Sequence, residues 1–238
     1  MLEVRNIAFS YARTPILRDV SFVVSPGETV SLVGDNGAGK TTLLRVLATL
    51  AVPEAGQVIF DGQDAFSHPL RYSRQLGYMP EKTALYEDLT VHDYLRYRAL
   101  LKGEMGKRIR RRIGEAAEAC QLDSVLTRPI RLLSLGLRRR VALADALLLR
   151  PRVLLLDDPL AGLDGELRAA MGPIVSNVAA FSSVIVTGHD VYDMAKWTTR
   201  FLVLRGGVIE ATIPAAGLAP EEILRRVRAH GSEKGGAV

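Results

Sequence analysis

One cysteine, Cys120, stands in 238 residues, so no internal disulfide can staple the chain, and a reducing compartment is the expected setting. Long hydrophobic runs are missing too. A bilayer-spanning helix needs roughly 20 predominantly apolar residues, whereas the densest run, Val153–Leu156, is only strand-sized. Any membrane role is therefore expected to come through a partner. Met1–Tyr11 breaks its apolar residues with polar ones and offers no apolar h-region, which argues against a secretory signal and predicts a cytoplasmic chain. Neither sign of charge dominates: the net +5 is compatible with nearby anionic headgroups or nucleotides and proves neither.

What is present is apolar material in short blocks. At 48% hydrophobic the chain can bury one substantial core, with room for an inserted subdomain. Leu2 to Phe9 and Leu17 to Val24 mix β-branched and aromatic residues and predict an antiparallel lead-in, with turn material at Ser25-Pro26-Gly27. Thr29 to Val33 reads as a strand that stops at Gly34, and Thr41 to Leu50 has helical spacing. Further short runs at 57–60, 75–79, 153–157, 183–187 and 201–204 are in several cases too uniformly apolar to have a solvent face, which predicts a mainly parallel sheet covered by helices. From Glu81 to Leu133 the pattern turns helical and charged. Cys120 falls in register with Ile109, Ile113 and Ala116 or Ala117 and is expected to be a buried thiol on one helix face. Lys107, Arg108 and Arg110–Arg112 surround the apolar Ile109 and read as a solvated helix face. No aromatic residues interleave them, so nucleic acid is not an expected partner. Pro220 with Glu221 and Glu222 opens a last helix that Gly231 closes, before a tail at Ser232–Val238.

Gly34-Asp35-Asn36-Gly37-Ala38-Gly39-Lys40-Thr41 satisfies the phosphate-loop pattern and stands between a predicted strand and a predicted helix, as its mechanism requires. The glycines let successive backbone N–H groups turn inward on phosphate oxygens, and the helix N-terminus adds its positive end. Lys40 is placed to reach the outer phosphates, Thr41 to ligate Mg²⁺, and Asn36, Gly37, Ala38, Gly39 and Thr42 to complete the ATP contact. Val153–Leu156 ends in Asp157. An acid at a strand end can be a cap or turn residue, but beside a phosphate loop it is the arrangement that holds hydrated Mg²⁺.

Between these motifs lies Leu133-Ser134-Leu135-Gly136-Leu137, followed by Arg138-Arg139-Arg140-Val141, which resembles the signature loop and helix of ABC ATPases. Ala161-Gly162-Leu163-Asp164 resembles that family's D-loop, Thr187-Gly188-His189-Asp190 its H-loop, and Gly77-Tyr78-Met79-Pro80-Glu81 stands where it places a Q-loop. The likeness covers roughly residues 1–212. It implies an α/β P-loop NTPase fold, with an ATP-binding core at 1–82 and 146–215, an inserted helical subdomain at 83–145, and a C-terminal helix and tail at 216–238. It implies roles as well: Tyr11 against adenine, His189 at the γ-phosphate, Glu81 as a catalytic and metal-side residue, Asp164 across a dimer, and Ser134, Leu135 and Gly136 supplied to a second copy's ATP. The implied protein is the ATP-hydrolysing subunit of a transporter, peripheral to the inner face of the membrane through a permease. A homodimer is the favoured arrangement, and the alternatives are a soluble ATPase of a non-transport assembly or a slow nucleotide-gated module.

Two departures stand out. The residue after Asp157, usually glutamate in the family, is Asp158; it keeps a carboxylate but shortens its reach by one methylene, and since a misplacement of about 1 Å can lower a rate on the order of 10²-fold, slow hydrolysis is expected. In the signature, Leu135 and Leu137 replace glycine and glutamine. Leu135 and the Pro80-Glu81 pair resemble exporter subunits of the ABC-2 type, so export is the expected direction.

Overall fold

A computed structural model describes residues 1–163 and 165–232. The chain opens with Leu2–Tyr11 (β1) and Thr14–Val24 (β2), paired antiparallel, then Thr29–Val33 (β3) and the helix Lys40–Leu47 (α1). Ala55–Phe60 (β4) and Gln63–Asp64 (β5) follow, then the short helix Pro69–Ser73 (α2) and Leu76–Met79 (β6). Val91–Leu101 (α3), Lys107–Ala119 (α4), two single 3₁₀ turns and Leu135–Leu147 (α5) lead into Val153–Leu156 (β7). The remainder is Gly165–Ala179 (α6), Ser183–Thr187 (β8), Val191–Ala195 (α7), Arg200–Arg205 (β9), Val208–Pro214 (β10) and Pro220–Ser232 (α8).

Two sheets result: one in the order β2-β1-β4-β5 and one in the order β10-β9-β3-β8-β7-β6. In the second, β9, β3, β8, β7 and β6 run parallel and β10 pairs antiparallel at the edge. Every residue of β3, β7 and β8 is buried. Side chains alternate across a strand, and the alternation divides the interior in two. Val30, Leu32, Val153, Leu155, Ile185 and Leu202 face α1 and the first sheet, while Val33, Leu154, Leu156, Val184, Val186 and Phe201 face α5 and α6. Strands buried on both faces read as continuous apolar runs, which is why these segments were legible.

Several expectations need correction. The run at 57–60 joins the antiparallel sheet as part of β4 and does not enter the parallel one. The first helix ends at Leu47, where Ala48 caps it and Thr49 takes φ 57°. The expected boundary at 145 falls inside α5. That helix is continuous because its C-terminal half lies against β6, so closely that a Cβ on Gly77 would sit 2.2 Å from the Ala146 carbonyl oxygen. The sequence pattern carries no expectation for the short elements α2, β5, α7 and β10. Asp164 and the tail from 233 lie outside the described residues.

The helices between β6 and β7 are tied together through Asp145. Its carboxylate accepts from Arg98 Nε at 2.8 Å and Lys102 Nζ at 3.0 Å, binding α3 to α5. Cys120 is buried, and burial pushes its thiol up to about 12. Among the described residues no helix is long and apolar enough to cross a membrane.

Candidate functional site

β3, β7 and β8 all end on the same edge of the parallel sheet, and the chemistry collects there. After Val33 the backbone turns through Gly34 at φ 152°, where a Cβ would strike the Leu204 carbonyl oxygen at 2.1 Å, and through Gly39 at φ 104°, which opens α1. Only glycine fits the first position and takes the second without strain. Lys40 curls back over the loop and donates from Nζ to the carbonyls of Gly34 at 2.7 Å and Asp35 at 3.0 Å. Burial lowers its pKa, while Asp157, Asp158 and Asp35 act in the opposite direction.

Asp157 stands just beyond β7, 2% exposed. Its Oδ1 accepts from the hydroxyls of Thr41 at 3.2 Å and Thr187 at 2.7 Å. Its Oδ2 is buried with no hydrogen-bond partner among the described residues. A buried, unpaired carboxylate oxygen beside a hydroxyl suits a hard, oxygen-seeking cation. Among the described residues no group of three or more His, Cys, Asp or Glu could cage a metal by itself. Mg²⁺ does not ask for such a cage, since it is usually held by one or two carboxylates, water and substrate phosphate, so these residues fit Mg²⁺ bound with a nucleotide.

Thr187, which stands out in the sequence only as part of the H-loop likeness, joins the two carboxylates' segments. Its hydroxyl donates to Asp157 and accepts from the Asp158 N–H at 3.0 Å. Asp158 takes φ 47°, uncommon for a residue with a side chain. Burial raises its carboxyl above the usual carboxylate range, Glu81 and Asp157 add to the rise, and His189 and Arg139 oppose it.

These groups surround a cavity of about 360 Å³. Of the residues expected at the site, Asn36, Gly37, Gly39, Lys40, Thr41, Thr42, Glu81, Asp157, Asp158 and His189 line it, joined by Ile16, Thr187 and Gly188. Ala38 belongs to the loop, its N–H bonded to the Asp35 carbonyl at 3.2 Å, but does not face the cavity. Tyr11 is not brought to it either. Ala12 and Arg13, at φ 44° and 74°, turn the chain tightly into β2, so Tyr11 sits at a hairpin tip with its ring edge-on to Phe9 at 4.8 Å. The apolar side chain beside the loop that also lines the cavity is Ile16, whose Cγ2 would lie 3.2 Å from a Cβ on Gly39, with the Leu17 Cδ2 at 3.0 Å.

The signature residues lie apart from this cavity. Ser134 caps α5, its hydroxyl accepting from the Leu137 N–H at 3.3 Å, and Leu135 is 67% exposed. Leu135 lines a second cavity, of about 430 Å³, between α5 and the segment from Glu81 to Glu87. Arg139 ties those two walls together by donating to the Glu81 carbonyl at 2.6 Å. Neither Ser134 nor Gly136 lines the phosphate-loop cavity within one chain.

Residues 17–161 match the profile of the family described as ABC transporter. The sulfate/thiosulfate import ATP-binding protein CysA of Pseudomonas aeruginosa is 35% identical over 217 residues, covering 88% of this chain and 65% of that protein. The spermidine/putrescine import ATP-binding protein PotA of Legionella pneumophila is 35% identical over 212 residues, covering 88% of this chain and 58% of that protein. The chain thus spans less than two thirds of the length of these relatives. Among solved structures, an ATP binding subunit of an ABC transporter superposes with a TM-score of 0.86 at 28% identity, covering 95% of this chain and 99% of that one. A dimeric ATP-binding cassette in a post-hydrolysis state, bound to ADP and Pi, shares the fold with a TM-score of 0.82 at 24% identity, over 92% and 100% of the two chains.

Proposed function

The chain belongs to the ABC transporter family as an ATP-binding domain, and from that premise we propose that it is the motor subunit that closes as a dimer on MgATP and drives a separate membrane permease. The supporting observation is the convergence on one sheet edge of Lys40, Thr41 and the orphan oxygen of Asp157. Lys40 exchanges its two carbonyl partners for phosphate oxygens, a gain because charge-assisted bonds are roughly twice as strong as neutral ones. The loop N–H groups and the start of α1 take the remaining phosphate charge. Thr41 and Asp157 would hold Mg²⁺, with Glu81, which lines the same cavity, as a further candidate contact. When bound, that ion would neutralise charge on the outer phosphates and fix their orientation. Asp158 takes the proton of the attacking water, and His189 positions the γ-phosphate.

Asp158 works from a left-handed backbone position with one methylene less than glutamate, so turnover is slow while ATP binding is retained. Ser134 and the amides of Leu135 and Gly136 come from the second copy, with Asp164 alongside, and a homodimer is the proposed arrangement. The helical segment expected at 83–145, extended to the end of α5 at Leu147, acts as the subdomain that carries this signature to its partner. The permease helix docks in the groove of about 320 Å³ where Tyr86 and Tyr94 of the helical segment face Leu50 and Tyr78 of the core. Leu50 and Tyr86 are 68% and 50% exposed there. The chain then works on the cytoplasmic side of the membrane, peripheral to it. The relatives named above are import proteins, which removes the ground for the export direction suggested by Pro80, Glu81 and Leu135, and no direction is proposed.

The test is ATP binding with and without Mg²⁺. In the natural protein Mg²⁺ tightens binding, and in Asp157→Asn that tightening is lost while metal-free affinity persists. Equal affinity with and without Mg²⁺ in the natural protein would refute the arrangement.

A further inference from the structure

Arg168, on α6, reaches from its helix to two loops at once. Its Nη1 donates to Asp190 Oδ2 at 2.5 Å and Asp193 Oδ2 at 3.1 Å, and its Nη2 donates to the Leu160 carbonyl at 3.3 Å. Leu160 lies in the turn that follows Asp158. Asp190 follows His189 directly, and its second oxygen, Oδ1, accepts from the Asp193 N–H to cap α7. One guanidinium thus joins the turn carrying Asp158 to the loop carrying His189, and Arg168 itself does not line the phosphate-loop cavity.

A planar fork with several fixed donors holds two groups at a set separation in a way that a single ammonium cannot. Arg168 is 36% exposed, and ion pairs this open add little to stability, so its effect falls on geometry more than on folding. We infer that Arg168 is a positioning residue that makes the Asp158 turn and the His189 loop one unit, so that the water-activating carboxylate and the γ-phosphate contact keep their spacing as the site closes. This rests on the roles proposed above for Asp158 and His189.

The experiment measures ATP turnover and equilibrium ATP binding on the full chain for the natural protein, Arg168→Ala, Arg168→Lys and Lys196→Ala. Arg168→Ala lowers kcat roughly tenfold or more, because small displacements of reacting groups are expensive in rate, while ATP affinity stays within about twofold, the signature of an interaction felt in the transition state. Arg168→Lys recovers only part of the loss. Lys196→Ala removes an exposed pair with the same Asp193 and leaves both quantities unchanged.

An unaltered kcat in Arg168→Ala, an equal loss of kcat and affinity, full recovery with lysine, or a comparable fall in Lys196→Ala would each overturn the inference. Hydrogen exchange at residues 188–191 is read in parallel on the nucleotide-free protein. It accelerates in Arg168→Ala if the clamp exists, and unchanged protection would overturn it. Since that readout needs no hydrolysis, a natural protein that fails to turn over ATP would sink the motor reading and the catalytic roles that rest on it, while faster exchange in Arg168→Ala would still show the clamp.

Discussion

Around Lys40 the chain is held by strands buried on both faces, whereas Ser134 is held by a helix cap and by side chains at the surface. β3, β7 and β8 are wholly buried, and Thr187 locks Asp157 to the Asp158 backbone in the same interior. At the start of α5 Arg138 reaches Glu87 at 2.7 Å and Arg139 the Glu81 carbonyl at 2.6 Å, both exposed, and Arg138 also donates to the carbonyls of Leu133 at 3.2 Å and Arg131 at 3.0 Å. Buried, fully bonded groups are costly to displace, and exposed pairs are not. The contrast is between a half fixed in the interior and a half held at the surface, the half that the proposed function offers to a second copy.

The largest effect that could break this contrast lies at Lys40. Lys40→Ala weakens ATP binding on the order of 10²-fold by equilibrium titration, from the loss of a charge-assisted contact; unchanged affinity would place the phosphates elsewhere. Next comes Asp158. Asp158→Glu restores the missing methylene and raises kcat roughly tenfold, while Asp158→Asn abolishes turnover and keeps binding; a rate indifferent to asparagine would show that this carboxylate is not the base.

The raised pKa of Asp158 also gives a sign. The acid limb of the kcat/KM profile, which reports the free protein's groups, is displaced upward from where an unshifted aspartate would put it, because the base must first ionise. The folded state binds this proton more tightly than the unfolded one, so this group's contribution to stability is lost as pH rises through its folded pKa. Asp158→Asn removes that dependence.

Smaller effects sharpen the comparison. Thr187→Val leaves Asp157 Oδ1 and the Asp158 N–H short of a partner and costs about 1–3 kcal/mol of stability by chemical denaturation. Arg138→Ala, at the exposed end, costs under about 1 kcal/mol. Equal losses at the two positions would erase the distinction between the halves.

The same contrast explains what was legible in the sequence. The phosphate loop and Asp157 announce themselves because glycine spacing and a buried strand end are local signals, and the structure brings those residues to one cavity. Ile16 could not be chosen in the same way, since its place depends on a hairpin turned by Ala12 and Arg13 at positive φ, where neither glycine nor asparagine marks the turn. That unmarked turn also carried Tyr11 away from the cavity. Thr187 meets Asp157 only because β8 lies beside β7 in the sheet, a pairing that no spacing announces. α2 and α7 span five residues each, too few for a helical period to show. Arg168 was invisible because its carboxylate partners, Asp190 and Asp193, are separated from it by β8 and a loop.

The central claim is a site completed by a second copy, and mixing two defective chains tests it most directly. Lys40→Ala and Ser134→Ala are each expected to be inactive alone. A mixed dimer places both defects in one of its two sites and leaves the other intact, so mixing is predicted to restore ATP turnover. Two inactive variants that stay inactive when mixed, with mixed dimers present, would contradict the account.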